Sequence, residues 1–123
     1  MSEFGPFEHT VGVEDTALVL GSGSLEVLGT PRMLAWMESA TCQAISAELD
    51  ETSTSLGVRV EVDHLRPSPV GSVVSISGRI ESRSDKSVVF SVDAVSLDRP
   101  DKPLAAGRIT RVIVRTEDFL RRL

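Results

Sequence analysis

The chain has 123 residues, enough for one compact domain with one hydrophobic core. Hydrophobic residues make up 41% of the chain and aromatic residues only 4%, so the predicted core is aliphatic. The formal net charge of −5 argues against a general nucleic-acid-binding protein, which would need a basic face for the phosphates.

Helical signals concentrate between Thr30 and Leu49. Thr30 is typical of a helix N-cap, because its hydroxyl can accept a hydrogen bond from a free backbone N–H of the first turn. Pro31 suits the first helical position, where its missing N–H costs no hydrogen bond. No glycine or proline interrupts the apolar run that follows, and the polar stretch "DETSTSLG" ends it. We predict a helix over residues 31–49, preceded by a weaker strand candidate, "FEHTVGV", and a flexible loop, "GSGSLEVLG".

After Gly57 the hydrophobic period changes to two, which is typical of strands. In "GVRVEVDHL" three valines share one face, and His64 continues it. Three further strands are predicted in "SVVSISGRIES", "SVVFSVDAVSL" and "LAAGRITRVIVRT". Short connections indicate antiparallel neighbours. The sequence therefore predicts an α+β domain over residues 1–123, with one long helix packed on an antiparallel sheet of about five strands.

The predicted helix is apolar on more than one side. Ala35, Trp36, Ala40 and Cys42 lie off its main apolar stripe, yet none of them is charged. A helix of this kind needs cover on most sides. A strongly curved sheet can supply part of that cover and a second copy of the chain the rest, so we expect a homodimer or a dimer of dimers. Sheets that join edge to edge would also hide an exposed strand edge.

Glu38 lies at the margin of the apolar stripe, beside Leu34 and Ile45 around the helix. A partly desolvated carboxylate is suited to act as a general base. The alternative is a glutamate at the edge of the stripe whose charged end reaches solvent. The pattern alone leaves both interpretations open.

His64 and Thr30 are the other two candidates. His64 shares its strand face with the valines, and we expect that face to meet the helix. A core histidine that is bonded to the backbone is the alternative. Thr30 lies eight residues before Glu38, on roughly the same side of the helix. A hydroxyl, a carboxylate and an imidazole that converge, within one subunit or across a dimer interface, are suited to acyl-transfer hydrolysis.

Cysteine and histidine usage indicates neither a disulfide nor a metal site. Cys42 is the single cysteine, which is typical of a reducing cytoplasm, and no basic residue nearby would activate its thiol. Two histidines and one cysteine are scattered without the spacing of metal ligands, so no cofactor is expected. No signal peptide or membrane-spanning stretch is evident. We expect a cytoplasmic protein with neither a membrane nor a nucleic acid as partner.

These motifs resemble the hotdog-fold thioesterases and, among them, the fluoroacetyl-CoA thioesterase-like family. The similarity runs from about "FEHTVGVEDTA" to "RTEDF". It includes the Thr-to-Glu spacing of "GTPRMLAWMESA" and the histidine-bearing strand of "LGVRVEVDHLRPSPVGSVV". It implies a hotdog fold, in which a long central helix is wrapped by a curved antiparallel sheet. It also implies that Thr30, Glu38 and His64 are catalytic and that the Gly57 N–H faces the thioester oxygen.

The activity that this resemblance implies is hydrolysis of a small or medium acyl-CoA thioester to the free acid and coenzyme A. Glu38 would be the general base or the nucleophile, and His64 would orient or protonate the leaving thiolate. Thr30 would position Glu38 or bind the substrate. Arg32 and Arg66 are candidate ligands of the coenzyme A phosphates. The alternatives are a non-catalytic acyl-CoA-binding or regulatory hotdog protein and a purely structural dimer.

Overall fold

In the computed structural model, which describes residues 3–123, the chain forms one five-stranded antiparallel sheet and one long helix. The strands are β1 (Glu3–Thr10), β2 (Ser53–His64), β3 (Val73–Arg83), β4 (Ser87–Ser96) and β5 (Arg99–Arg115). The helices are α1 (Ala17–Leu20), α2 (Thr30–Ser46) and α3 (Thr116–Arg121), and a 3-10 turn covers Val13–Asp15. The predicted α+β architecture is confirmed. Within residues 3–123, no helix is both long and apolar enough to cross a membrane.

Helix α2 begins one residue earlier and ends three residues earlier than the sequence predicts. Its N-cap is Gly29, without a side-chain capping bond, and Thr30 is already helical. The prediction of Thr30 as N-cap is therefore wrong. At the other end, the N–H groups of Glu48 and Leu49 donate to carbonyls three residues back, which tightens the chain into turns that end the helix.

The core lies between α2 and the inner face of the sheet. Strand β4 is central and buries every second residue, namely Val88, Phe90, Val92 and Ala94. The helix contributes a fully buried stripe at helical spacing, with Met33, Met37 and Ile45 at 0% exposure. Burial of each such side chain stabilises the fold by about 1.5–3 kcal/mol, so this stripe fixes the helix on the sheet.

Strand β2 is one edge of the sheet, whose strand order is β1-β3-β4-β5-β2. Its inner face meets the helix only in part. Val62 packs against the core, whereas Val58 and Val60 are 57% and 38% exposed. The expectation that this whole face meets the helix is therefore wrong for these two valines. The reason is that β2 has no neighbouring strand on its outer side, and a bulge between Gly57 and Arg59 bends it.

Candidate active site

Thr30 and His64 form a direct pair at one end of the molecule. Thr30 is the first residue of α2, and His64 is the last residue of β2. The Thr30 Oγ1 lies 2.7 Å from Nδ1 of His64, within hydrogen-bond distance. The Thr30 hydroxyl thus contacts the imidazole instead of capping its own helix. The structure brings together these two of the three predicted catalytic residues.

The imidazole of His64 is held in a partly buried position that favours its neutral form. Burial lowers its pKa from the ordinary value of 6.5, because desolvation disfavours the imidazolium, and the Arg66 backbone offsets part of that effect. A neutral imidazole has one donor and one acceptor nitrogen, so Nε2 takes the role opposite to that of Nδ1. Nε2 is buried and has no hydrogen-bond partner within residues 3–123. Its hydrogen-bonding capacity is therefore not used by the described part of the chain.

A small cavity of about 260 Å³ lies against this pair. Its wall combines the Thr30 hydroxyl and the His64 ring with apolar side chains and one cation. The residues that line it include Ala17, Val27, Leu28, Leu65, Arg66 and Pro67. An apolar wall with a few polar groups is typical of a small-molecule site.

Glu38 lies at a different place, over Gly57 on β2. Its Oε2 comes so close to the Gly57 backbone that a Cβ atom built on Gly57 would collide with it. Because Gly57 has no side chain, the carboxylate can occupy this place, and any larger residue would displace it. The Glu38 side chain is 41% exposed, so the carboxylate is reachable from solvent.

A buried arginine, Arg111, lies beside the Glu38 carboxylate. The Arg111 guanidinium is almost fully buried, with Nε donating to Ser55 Oγ at 2.9 Å and Nη2 to the Ser55 carbonyl at 3.1 Å. Its Nη1 lies 3.9 Å from Oε2 of Glu38. The Thr41 hydroxyl donates to the Glu38 backbone carbonyl at 2.7 Å. A fixed positive charge beside the carboxylate orients it.

Arg111 is not among the site residues predicted from the sequence, although a signal was present. Ile109, Arg111 and Ile113 alternate along β5, so Arg111 falls on the face whose neighbours are buried. A cation at an inward position of a strand requires polar partners. That pattern could have marked Arg111 as part of a polar cluster.

Within one chain Glu38 and His64 do not meet. The residue under Glu38 is Gly57, which lies seven residues before His64 on the same strand. That separation is about 23 Å along the strand at about 3.3 Å per residue. The expected convergence of all three residues is therefore not found inside a single subunit. Convergence across a dimer interface, the alternative that the sequence left open, requires a second copy of the chain.

The two predicted phosphate-binding arginines differ in their surroundings. Arg32 lies 2.9 Å from the carboxylate of Asp15, as an ion pair rather than an aligned hydrogen bond. Its charge is thus already compensated by a nearly buried aspartate. Arg66 lines the cavity of Thr30 and His64 and donates to the Pro103 carbonyl, a neutral acceptor. Arg66 therefore keeps an uncompensated positive charge at the cavity.

The remaining histidine and the cysteine lie in other surroundings. His9 stacks on Trp36 with ring centroids 4.5 Å apart and planes 7° from parallel, a packing contact between β1 and α2. Cys42 is exposed on α2. Within residues 3–123, no group of three or more histidine, cysteine or acidic side chains is placed to hold a metal ion.

Comparison with known proteins identifies the family. A family model for the fluoroacetyl-CoA-specific thioesterase FlK matches residues 11–117. The chain belongs to this family. The match covers most of the chain and places it among the thioester hydrolases, as the sequence motifs predict. No curated protein matches the chain.

Solved structures confirm the hotdog fold. A mutant of FlK superposes with a TM-score of 0.88 at 22% identity, over 98% of this chain and 90% of that chain. A hotdog-like protein from Thermanaerovibrio acidaminovorans has a TM-score of 0.87 at 29% identity, over 98% and 87% of the two chains. A hypothetical protein from Thermus thermophilus, described as a thioesterase superfamily member, has a TM-score of 0.85 at 28% identity, over 98% and 88%.

Proposed function

We propose that this protein hydrolyses a small or medium acyl-CoA thioester at a site built by two subunits. The observation that carries this proposal is the placement of two half-sites at opposite ends of one exposed strand segment of a thioesterase-family chain. Thr30 and His64 lie at one end of that segment, and Glu38 with Gly57 at the other. The ligands of the relatives support the substrate class, because FlK has been crystallised with fluoroacetate and CoA and with acetyl-CoA.

Pairing of β2 with its own copy would join the half-sites. In an antiparallel pair about a two-fold axis, residues equally far from the axis lie opposite each other. An axis through Val60 or Glu61 puts Gly57 within one residue of the position opposite His64 of the partner subunit. The carboxylate of Glu38 would then face the partner's His64. Each dimer would hold two such sites.

The exposed surface of β2 favours a second copy of the chain as its partner. Val58 and Val60 are apolar, lie on the inner face of an edge strand, and are left uncovered by α2. An exposed edge offers unpaired backbone N–H and C=O groups, which a second β2 satisfies. The dimer would thus bury apolar side chains and complete the catalytic group in the same contact.

The chemistry follows from the roles that these groups can take. In one route Glu38 removes a proton from water, and the resulting oxygen adds to the thioester carbonyl carbon. In the other route the Glu38 carboxylate attacks that carbon itself and forms an anhydride that water then opens. In both routes the C–S bond breaks while the Nε2–H of neutral His64 of the partner subunit donates a hydrogen bond to the leaving sulfur, and the thiolate takes up a proton that the water releases. The products are a carboxylic acid and the thiol of coenzyme A.

Two further groups would complete the site. The backbone N–H of Gly57 is proposed to donate to the oxyanion that develops on the thioester carbonyl. Thr30 holds Nδ1 of His64 and so sets which way Nε2 faces. Both roles depend on how the two β2 strands are aligned in the dimer.

Release of free thiol from a panel of acyl-CoA substrates tests the proposal. The panel contains short, medium and aryl acyl groups, and Glu38→Gln is compared with Glu51→Gln, a matched change at an exposed glutamate. We expect turnover by the wild type and by Glu51→Gln, and a loss on the order of 100-fold or more in kcat for Glu38→Gln. Equal turnover by all three proteins would remove Glu38 from the mechanism. Binding of acyl-CoA without turnover would instead indicate the non-catalytic protein.

A further inference from the structure

We infer that a second, cationic cavity beside the active site holds the phosphate groups of the coenzyme. This inference rests on the proposed function. The cationic cavity would bind the part of the substrate that extends beyond the Thr30–His64 cavity. The cavity has a volume of about 330 Å³ and is lined by Arg66, Arg99 and Lys102. These three cationic side chains come from two separate segments. Arg66 lies in the loop after β2, and Arg99 and Lys102 lie at the start of β5.

The two cavities share a wall. Arg66 and Pro67 line both the cavity of Thr30 and His64 and the cationic cavity. The chain passes from His64 directly into this wall, and the N–H groups of Leu65 and Arg66 donate to the Leu104 carbonyl of β5. A ligand whose thioester lies at His64 can therefore extend along this wall into the second cavity.

The positive charge of the cavity is only partly compensated. Within residues 3–123, neither Arg66, Arg99 nor Lys102 forms an ion pair, whereas other arginines such as Arg32 and Arg108 do. One carboxylate, Asp98, lies in the same cavity and accepts a hydrogen bond from Ser96. Three cations against one carboxylate leave a net positive site in a chain of formal net charge −5. Such a local excess attracts a polyanion.

Hydroxyl groups add to the donors. Ser68 is 2% exposed, lines the cavity, and its Oγ has no hydrogen-bond partner within the described part of the chain. A buried hydroxyl without a partner is costly and is satisfied by a ligand oxygen. Arginine, lysine and hydroxyl donors together are a typical set for phosphate oxygens.

The backbone of β5 explains why Lys102 faces this cavity. Val95 pairs with Pro103 and Ser96 pairs with Arg99, so residues 100–102 have no partners on β4 and form a bulge. A bulge of this kind re-aims the side chains it carries. The segment "RPDKP" therefore contributes Arg99 and Lys102 to the wall of the cavity as well as connecting two strands.

Coenzyme A has the matching chemistry, since it carries a diphosphate and a 3′-phosphate far from its thiol. The test compares the double variant Arg99→Gln/Lys102→Gln with a matched double variant, Arg79→Gln/Lys86→Gln, which removes one arginine and one lysine elsewhere. Each protein is assayed with an acyl-CoA and with the same acyl group on pantetheine, which lacks these phosphates.

We expect the Arg99→Gln/Lys102→Gln variant to raise KM for the acyl-CoA about 10-fold, with kcat unchanged. The matched variant should leave KM unchanged, and the acyl-pantetheine should show the same kinetics with all proteins. An unchanged KM for the acyl-CoA, or an equal rise for the acyl-pantetheine, would overturn the inference.

A binding measurement separates this inference from the proposed hydrolysis. Adenosine 3′,5′-bisphosphate carries phosphate groups of the coenzyme but no thioester, and its affinity is measured by calorimetry. Weaker binding by the Arg99→Gln/Lys102→Gln variant than by its matched control would support the phosphate site even if no thioester is hydrolysed. Absence of binding to the wild type would overturn the phosphate site, even if thioesters are hydrolysed.

Discussion

The carboxylate of Glu38 lies so close to Gly57 that a side chain at position 57 would displace it. The contact joins the middle of the long helix to the edge strand of the sheet. The absence of a side chain at Gly57 lets the only carboxylate of the proposed catalytic group occupy this place, at a position where the backbone itself is extended.

Substitution of Gly57 is therefore expected to damage activity more than stability. In Gly57→Ala the new methyl group displaces the Glu38 carboxylate, whose exposed side chain can move away with little change in the unfolding free energy. We expect kcat to fall at least 10-fold, because misplacement of a catalytic group is costly. The measurement is thiol release together with urea unfolding. Ser53→Ala on the same strand is the control, and full activity in Gly57→Ala would disprove the role of this contact.

Arg111 is expected to matter for stability as well as for activity. Arg111→Met leaves the Ser55 groups and the Thr41 hydroxyl without their buried partner, which lowers the unfolding free energy by about 1–3 kcal/mol. Arg111→Lys keeps the charge but loses the second hydrogen bond, so it should fall between the wild type and Arg111→Met. Chemical denaturation measures the ranking. A methionine variant as stable as the wild type would show that the buried cation contributes nothing.

The buried histidines predict a loss of stability on the acid side. Burial lowers the pKa of both His9 and His64 below 6.5, so at mildly acidic pH the unfolded chain binds more protons than the folded one. Stability is then complete above pH 6.5 and falls as the pH drops through that value. Unfolding measured from pH 7 to pH 5 should show this fall, and His9→Asn/His64→Asn should show less of it. An equally steep fall in the double variant would assign it to other groups.

The pH dependence of activity separates the two histidines. Protonation of His64 removes the Nδ1 acceptor that the Thr30 hydroxyl can use, so kcat/KM should decline as His64 becomes protonated below its lowered pKa. His9→Gln should keep that acid limb, because His9 packs on Trp36 away from the Thr30–His64 pair. Disappearance of the limb in His9→Gln would contradict the assignment.

The exposed face of β2 gives a prediction about assembly. Val58→Arg and Val60→Arg place charges on the face that we propose to be covered by a second copy, so each should shift the protein to a monomer. Both variants should also lose turnover, because a monomer holds only half of the catalytic group. Sedimentation velocity measures the first effect and thiol release the second. Leu123→Arg, at a residue 87% exposed in the C-terminal segment, is the control.

Local pattern was sufficient to predict the elements of the fold. Thr30 and Pro31 marked the start of the long helix to within one residue, and the alternation at Val88, Phe90 and Val92 marked a buried strand. The helix end was placed too late, because Glu48 and Leu49 have helical composition but form tighter turns. Composition alone does not distinguish these two kinds of turn.

The site was predicted less completely than the fold, for reasons of distance. The sequence places Thr30 and Glu38 on roughly one side of a helix, yet about 12 Å of helix separates them. His64 and Gly57 diverge further, because a strand advances more than twice as far per residue as a helix does. A hydrophobic pattern predicts the face of a helix or strand on which a residue lies. It does not predict how far that residue is from a residue on another element. The separation of Glu38 from His64 became visible only in three dimensions.

Mixing two inactive variants tests the central claim of a shared site most directly. Glu38→Gln and His64→Ala are prepared separately, unfolded together and refolded, so that about half of the dimers contain one chain of each. A site that joins Glu38 of one chain to His64 of the other is intact once in each mixed dimer. We predict that thiol release recovers to about a quarter of the wild-type rate, since one site in four is whole. No recovery, with mixed dimers demonstrated by mass spectrometry, would contradict a site shared between subunits.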